Sequence, residues 1–60
     1  MLQVRLFDYE HEQDLQKELN AFLAGFSSRD IIDIKYNVSA ATTDKEQIYC
    51  FSAMVIYQAK

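Results

Sequence analysis

The sequence is poor in residues that break or cross-link a chain. Its 60 residues include one glycine, one cysteine, one histidine, no proline and no tryptophan. One cysteine cannot form an intrachain disulfide, and the chain has no Cys/His set with the spacing of a zinc site. One glycine cannot build the glycine-rich loop that cradles phosphates. These absences exclude disulfide scaffolds, zinc modules and phosphate-loop enzymes.

Positive charge and long hydrophobic runs are also scarce. Six Lys/Arg oppose nine Asp/Glu, which gives a net charge of −3. Nucleic-acid affinity rests mainly on cationic groups that meet phosphates. The longest apolar run is far below the roughly 20 residues that span a bilayer, and the start shows no charged leader before an apolar stretch. We therefore expect a cytoplasmic protein with no nucleic-acid or membrane partner and no cofactor.

What the chain has in quantity is hydrophobic residues, at 50% of the total. That fraction argues against disorder, and the length predicts a single domain over residues 1–60. A chain this short buries only about 60% of its unfolded surface. Without a disulfide or metal, association with another chain is the remaining common stabiliser.

Hydrophobic periodicity predicts one helix, from about Glu10 to Ala24. Five apolar positions form a single stripe along it: Leu15, Leu19, Phe22, Leu23 and Phe26. Asp8 is the expected N-cap. Gly25 follows the last periodic residues and is the expected left-handed C-cap.

Period-two alternation predicts three strands. The first covers Leu2–Leu6 and the second Ile32–Ala40, each with one polar face. A polar, mobile connection is expected over residues 41–46. The third strand, Gln47–Tyr57, is apolar on both faces, which is typical of a strand covered on both sides.

These elements predict an α+β fold with the order β-α-β-β. The doubly apolar third strand belongs in the middle of a three-stranded, mostly antiparallel sheet, in the order 1-3-2. The helix is expected to cover one face. A single helix cannot shield both sides of the sheet, so one face is left for a partner.

The two alternating sets of side chains on the third strand differ in polarity, and we use this difference to predict which face of the sheet meets the helix. The expected inward residues are Leu2, Val4, Leu6, Ile32, Ile34, Tyr36 and Val38. Aromatics with a polar tip tolerate an interface better than aliphatics do. The predicted exposed interface is therefore Phe7, Ile31, Tyr49, Phe51, Val55 and Tyr57, with Arg5, Asp33 and Lys35 on its rim. The simplest way to cover it is a homodimer.

Candidate catalytic groups do not converge. His11 lies near the acidic residues Asp8, Glu12 and Asp14 at the start of the helix, and Asp8, Glu10 and Asp14 are the candidate metal ligands. Helical spacing spreads them, which argues against a metal site. Cys50 lacks the basic neighbours of a nucleophile, and we expect it to be a small core residue. We predict that the chain is not an enzyme.

Several segments carry a family resemblance. Residues 4–12, 18–23, 32–36 and 47–57 resemble the small sporulation-associated proteins of Bacillus-type bacteria, similar chains of which occur in phages. The most specific segments are residues 34–36 and 49–54. The resemblance implies a bacterial cytosolic setting and transfers no catalytic residue. The β-α-β-β order also resembles that of the dodecins, small flavin-binding oligomers, in topology alone.

Two functions remain open from the sequence. The first is an interaction protein that self-associates and binds a cellular or host protein, including direct inhibition of a larger partner. The second is an oligomeric store or sponge that encloses a flat or anionic ligand. Its candidate residues are Arg5, Tyr36, Tyr49 and Tyr57.

Overall fold

The computed structural model describes residues 1–42 and 44–59. The elements are strand β1 (Leu2–Tyr9), helix α1 (Glu12–Leu23), strand β2 (Ile31–Thr42) and strand β3 (Gln47–Gln58). The sheet order is β1-β3-β2, and β3 pairs antiparallel with both neighbours. The predicted α+β fold and strand order are confirmed.

The helix begins later than predicted because β1 is longer. β1 extends to Tyr9, which lies opposite Phe51. Asp8 is therefore inside a strand, and its predicted N-cap role is wrong. His11 occupies the N-cap position in an extended conformation and makes no side-chain capping bond. Glu12 and Asp14 in the first turn favour this start through the helix dipole.

The helix ends without the predicted left-handed glycine. Ala24 keeps right-handed helical angles, φ −62° and ψ −21°, and no described residue has a positive φ. The N–H of Gly25 donates to the Phe22 carbonyl at 3.2 Å, and that of Phe26 donates to Leu23 at 3.1 Å. A tightened last turn thus satisfies the terminal carbonyls.

The connection between β2 and β3 is shorter than expected. Ala41 lies opposite Ile48 and Thr42 opposite Gln47, so the strands extend into the segment predicted as a loop over residues 41–46. Thr43 lies outside the described residues.

On β1 and β3 the helix covers the opposite face from the one predicted, whereas Ile34, Tyr36 and Val38 of β2 lie on the helix side as predicted. The buried core consists of Phe7, Leu15, Ala53 and Val55. Because Phe7 and Val55 contact the helix, Leu2, Val4 and Leu6 of β1 lie on the other face. We call the two sides the helix-side face and the open face.

Aromatic packing explains why this face is covered. The ring of Phe22 on α1 meets Phe7 of β1 edge-on at 5.7 Å and Tyr57 of β3 at 5.3 Å. Phe26 meets Tyr57 at 5.0 Å. Such edge-to-face pairs add about 0.5–1.5 kcal/mol each beyond their area burial. An aliphatic face offers the helix rings no equivalent contacts.

A β-bulge near the start of β2 changes which of its residues face the helix. Ile31 lies opposite Tyr57, but Asp33 lies opposite Ile56, so the register shifts by one residue. An extra residue reverses the alternation beyond it. Ile31 and Ile34 therefore share the helix-side face, although strict alternation predicts opposite faces for them.

The central position of Val55 predicts a large packing effect. Val55 is 0% exposed, whereas Val38 on β2 is 43% exposed. We expect Val55→Ala to lower the free energy of unfolding by about 2 kcal/mol more than Val38→Ala, since only the first leaves a cavity. Urea denaturation of both variants measures the difference. Equal losses would contradict this core.

Candidate functional site

The open face carries most of the exposed aliphatic side chains. Leu6 is 70% exposed, Leu2, Val4 and Ile48 are also exposed, and Met54 and Ile56 are half-buried. No described element packs over this face. Scattered exposed apolar residues are ordinary, but a contiguous patch marks an interaction site.

The pairing register arranges the open face in rows across the strands. Paired residues on antiparallel strands lie side by side on one face. The first row contains Val4, Ile56 and Asp33, and the second contains Leu6, Met54 and Lys35. The β1 and β3 portion is thus apolar and the β2 portion charged. The same division occurs in both rows.

Asp33 and Lys35 form an ion pair at the β2 edge of this face. Lys35 Nζ lies 3.3 Å from Asp33 Oδ2, and both side chains are at least half exposed. Asp33 Oδ1 also accepts a hydrogen bond from the Ile34 N–H at 2.8 Å. An exposed pair of this kind contributes about 0–1 kcal/mol to stability, so its charges remain available to a partner.

A shallow depression of about 340 Å³ lies between the charged and apolar portions. Its lining includes Leu6, Lys35, Asn37, Ser52 and Met54. Protruding apolar side chains and depressions are the elements that interdigitate when sheets pack face to face.

Cys50 lies on the open face and is paired with a carboxylate. Its thiol and the Ser52 hydroxyl both donate to Asp8 Oδ1, the latter at 3.3 Å. The hydrogen bond to Asp8 is the main cause that raises the pKa of Cys50, and the Ser52 contact lowers it. A raised pKa disfavours the thiolate, which is the nucleophilic form. The prediction of a core cysteine is wrong, because Cys50 is half-buried on the open face.

Most of the predicted interface residues lie beneath the helix. Phe7 and Val55 are buried, and Ile31, Phe51 and Tyr57 pack against them. The prediction that this set is uncovered is therefore wrong. Only Tyr49 is substantially exposed, and its ring stacks on Phe51 at 6.3 Å.

The predicted rim residues divide between the two faces. Asp33 and Lys35 border the open face. Arg5 lies on the helix side, with its guanidinium 5.5 Å from the centre of the Phe7 ring and 5.9 Å from that of Phe22. This cation–π contact gives Arg5 a packing role at the edge of the core.

The four ligand candidates do not converge on one cavity. Tyr49, Tyr57 and Tyr36 line separate depressions. The Tyr57 hydroxyl donates to Gln3 Oε1 at 3.0 Å. The geometry therefore provides no common site for a flat ligand among Arg5, Tyr36, Tyr49 and Tyr57.

Sequence reasoning missed the interaction potential of Leu2, Val4, Leu6, Met54 and Ile56. One signal that could have identified it is Phe7, which interrupts the alternation of β1. The helix carries Phe22 and Phe26, so aromatic partners on the sheet indicate the covered side.

The described residues form neither a metal-binding cluster nor a membrane-spanning helix. Residues 1–42 and 44–59 contain no group of three or more His, Cys, Asp or Glu placed to hold a metal ion. Within the same ranges, the helix is too short and too polar to cross a membrane.

The chain is a small α+β domain with one sheet face covered by a helix and one open face. Comparison with known sequences identifies its family. The family described as sporulation protein Cse60 matches residues 1–59. The chain is 59% identical over 59 residues to the "Sporulation protein cse60" of Bacillus subtilis (strain 168), covering 97% of this chain and 98% of that protein. The chain belongs to the Cse60 family of sporulation proteins, which confirms the resemblance. No solved structure matches it significantly.

The hydrogen bond from Cys50 to Asp8 predicts that the Cys50 thiol is alkylated slowly. We expect Asp8→Asn to lower the pKa of Cys50 toward its ordinary range, because the replacement removes the carboxylate that accepts the thiol hydrogen bond and whose charge also opposes the thiolate. The alkylation rate by iodoacetamide near pH 8 should therefore rise several-fold. Asp44→Asn, at an exposed position between β2 and β3, is the control and should leave the rate unchanged. Identical rates for all three proteins would contradict the assignment.

Proposed function

We propose that this protein is a non-enzymatic interaction module that self-associates through the open face as a twofold dimer, and in that form binds a cellular protein. The observation that carries the proposal is the exposed aliphatic patch around Leu6, Val4 and Leu2 on a face that no described element covers. The partner surface differs from the aromatic one expected from the sequence, but the geometric reason for association is the same.

The size of the open face suits a dimer. The Cα envelope measures 47 × 18 × 12 Å, so its broad side, which sets the upper limit of the open face, covers about 850 Å². A stable interface uses about 800 Å² per partner. A second copy therefore supplies a surface of matching size and chemistry.

The two rows also make the face self-complementary. A twofold axis that crosses the strands between the rows sets the first row of one copy over the second row of its partner. Val4 then meets Leu6, and Ile56 meets Met54. In such an isologous contact each pair occurs twice, because Leu6 of the first copy also meets Val4 of the second. An axis along the strands would instead set the apolar β1 portion against the charged β2 portion.

The same axis brings opposite charges together. Asp33 belongs to the first row and Lys35 to the second, so each Asp33 would lie over the Lys35 of the partner. Complementary charges at a rim favour one register and disfavour others. The charged β2 portion thus selects the orientation that the apolar portion stabilises.

The relatives support a setting for this activity. A 59% identical protein is named as a sporulation protein, which suggests a role in the cytoplasm of a spore-forming bacterium. A small domain without a converged catalytic constellation among its described residues fits a binding role. We propose a cellular or host protein as the further partner of the dimer.

A charge placed in the patch should separate the copies. We expect Leu6→Asp to give a monomer, because burying an unpaired carboxylate in an apolar interface costs several kcal/mol. Sedimentation equilibrium should show the mass fall from twice 7.0 kDa to that of one chain. Gln13→Asp, at an exposed helix position, should leave the dimer intact. A wild-type chain that is monomeric throughout would refute the proposal.

A charge exchange tests the orientation of the axis. Asp33→Lys and Lys35→Asp should each weaken the dimer, because each sets like charges opposite one another across the axis. The double exchange should restore the association constant to near the wild-type value. Sedimentation of the three variants measures this recovery. A double variant as weak as the single ones would exclude the crossed arrangement.

A further inference from the structure

The helix-side face also has an uncovered part. Helix α1 packs on β1 and β3, and within the described residues it does not pack on β2. Ile34, Tyr36 and Val38 of β2 lie on this face but remain exposed, Tyr36 by 58%. A strip of apolar β2 surface therefore runs beside the helix.

The strip and the helix together form a groove. A depression of about 290 Å³ lies between them. Its helix wall includes Leu15, Leu19 and Leu23 with the polar residues Gln16 and Asn20, and Tyr36 lies on the sheet side. A second depression, of about 520 Å³, lies at the start of the helix and includes Tyr49. This second depression lies between the helix start and β3 and shares Glu12 with the first. We call the first depression, with the exposed β2 strip beside it, the α1–β2 groove.

The side chains with a formal charge that line the two depressions are acidic. Glu12 lines both depressions, and Glu10, Asp14 and Glu46 line the larger one, where His11 also lies. Among the described residues, no Lys or Arg lines either depression, and the chain has a net charge of −3. An apolar floor with an acidic border favours a cationic, amphipathic partner.

The dimensions of the groove suit a helix. Alternate residues of a strand repeat at about 6.6–6.8 Å, close to the 5.4 Å pitch of a helix. Ile34, Tyr36 and Val38 can therefore each meet one of three successive turns. Neighbouring helices pack about 8–10 Å apart, so a helix beside α1 would lie over β2.

We propose that the α1–β2 groove docks a cationic amphipathic helix of a partner protein. Its apolar stripe packs on Ile34, Tyr36 and Val38, and its lysines or arginines meet Glu12 and the acidic residues near it. The groove is on the opposite side of the sheet from the open face, so docking does not depend on the proposed dimer.

Fluorescence anisotropy with a synthetic probe tests the proposal. The probe is a labelled helical peptide of about 15 residues, with leucine on one stripe and lysine elsewhere; its match carries glutamate in place of lysine. The lysine peptide should bind, more weakly as salt rises, and the glutamate peptide should not. Tyr36→Ser should weaken binding about tenfold, within the range of interface aromatics.

Two further variants make the result specific. Glu12→Lys changes the border without altering the core, and it should also weaken binding several-fold. Leu6→Ser, on the open face, should leave the affinity for the lysine peptide unchanged even where it weakens the dimer. The proposal is overturned if both peptides bind equally, if Tyr36→Ser and Glu12→Lys bind like wild type, or if Leu6→Ser abolishes binding. A Tyr36→Ser variant that loses dimerisation would assign the groove to a second copy and overturn it as well.

Discussion

The contact of Phe22 with Phe7 and Tyr57 determines how the rest of the molecule is arranged. These rings join α1 to both β1 and β3 and fix which face of the sheet the helix covers. Arg5 extends the cluster by lying over two of the rings. With the aromatic side covered, the aliphatic side of the same strands is left to solvent. The open face is thus a consequence of the aromatic packing.

The strand order could be predicted from the sequence because β3 is apolar on both faces, which indicates a central strand. The face assignment could not be obtained by weighing polarity alone. Phe7, Phe51 and Tyr57 fit an interface as single side chains, but their packing depends on Phe22 from a separate element. The bulge between Ile31 and Asp33 also has no turn residue to signal it. Alternation therefore assigned Ile31 and Ile34 to different faces.

The residues that cap the helix could not be predicted from residue type alone either. Asp8 suits an N-cap by residue type, but pairing of β1 with β3 incorporates it in the sheet, where it accepts hydrogen bonds from Cys50 and Ser52. Gly25 suits a left-handed cap, but i→i+3 bonds already satisfy the last carbonyls. In both cases tertiary or neighbouring backbone contacts displaced the local preference. The apolar helix stripe, which depends on packing itself, was predicted correctly.

A small domain with an uncovered apolar face is only marginally stable by itself, which is why association is central to this account. The most direct test is methyl NMR with a soluble paramagnetic probe over a dilution series. We expect the methyl groups of Val4, Leu6 and Met54 to be protected at high concentration and to become accessible on dilution, while those of Val38 remain accessible. Methyl groups of Leu6 that are equally accessible at every concentration would contradict the account.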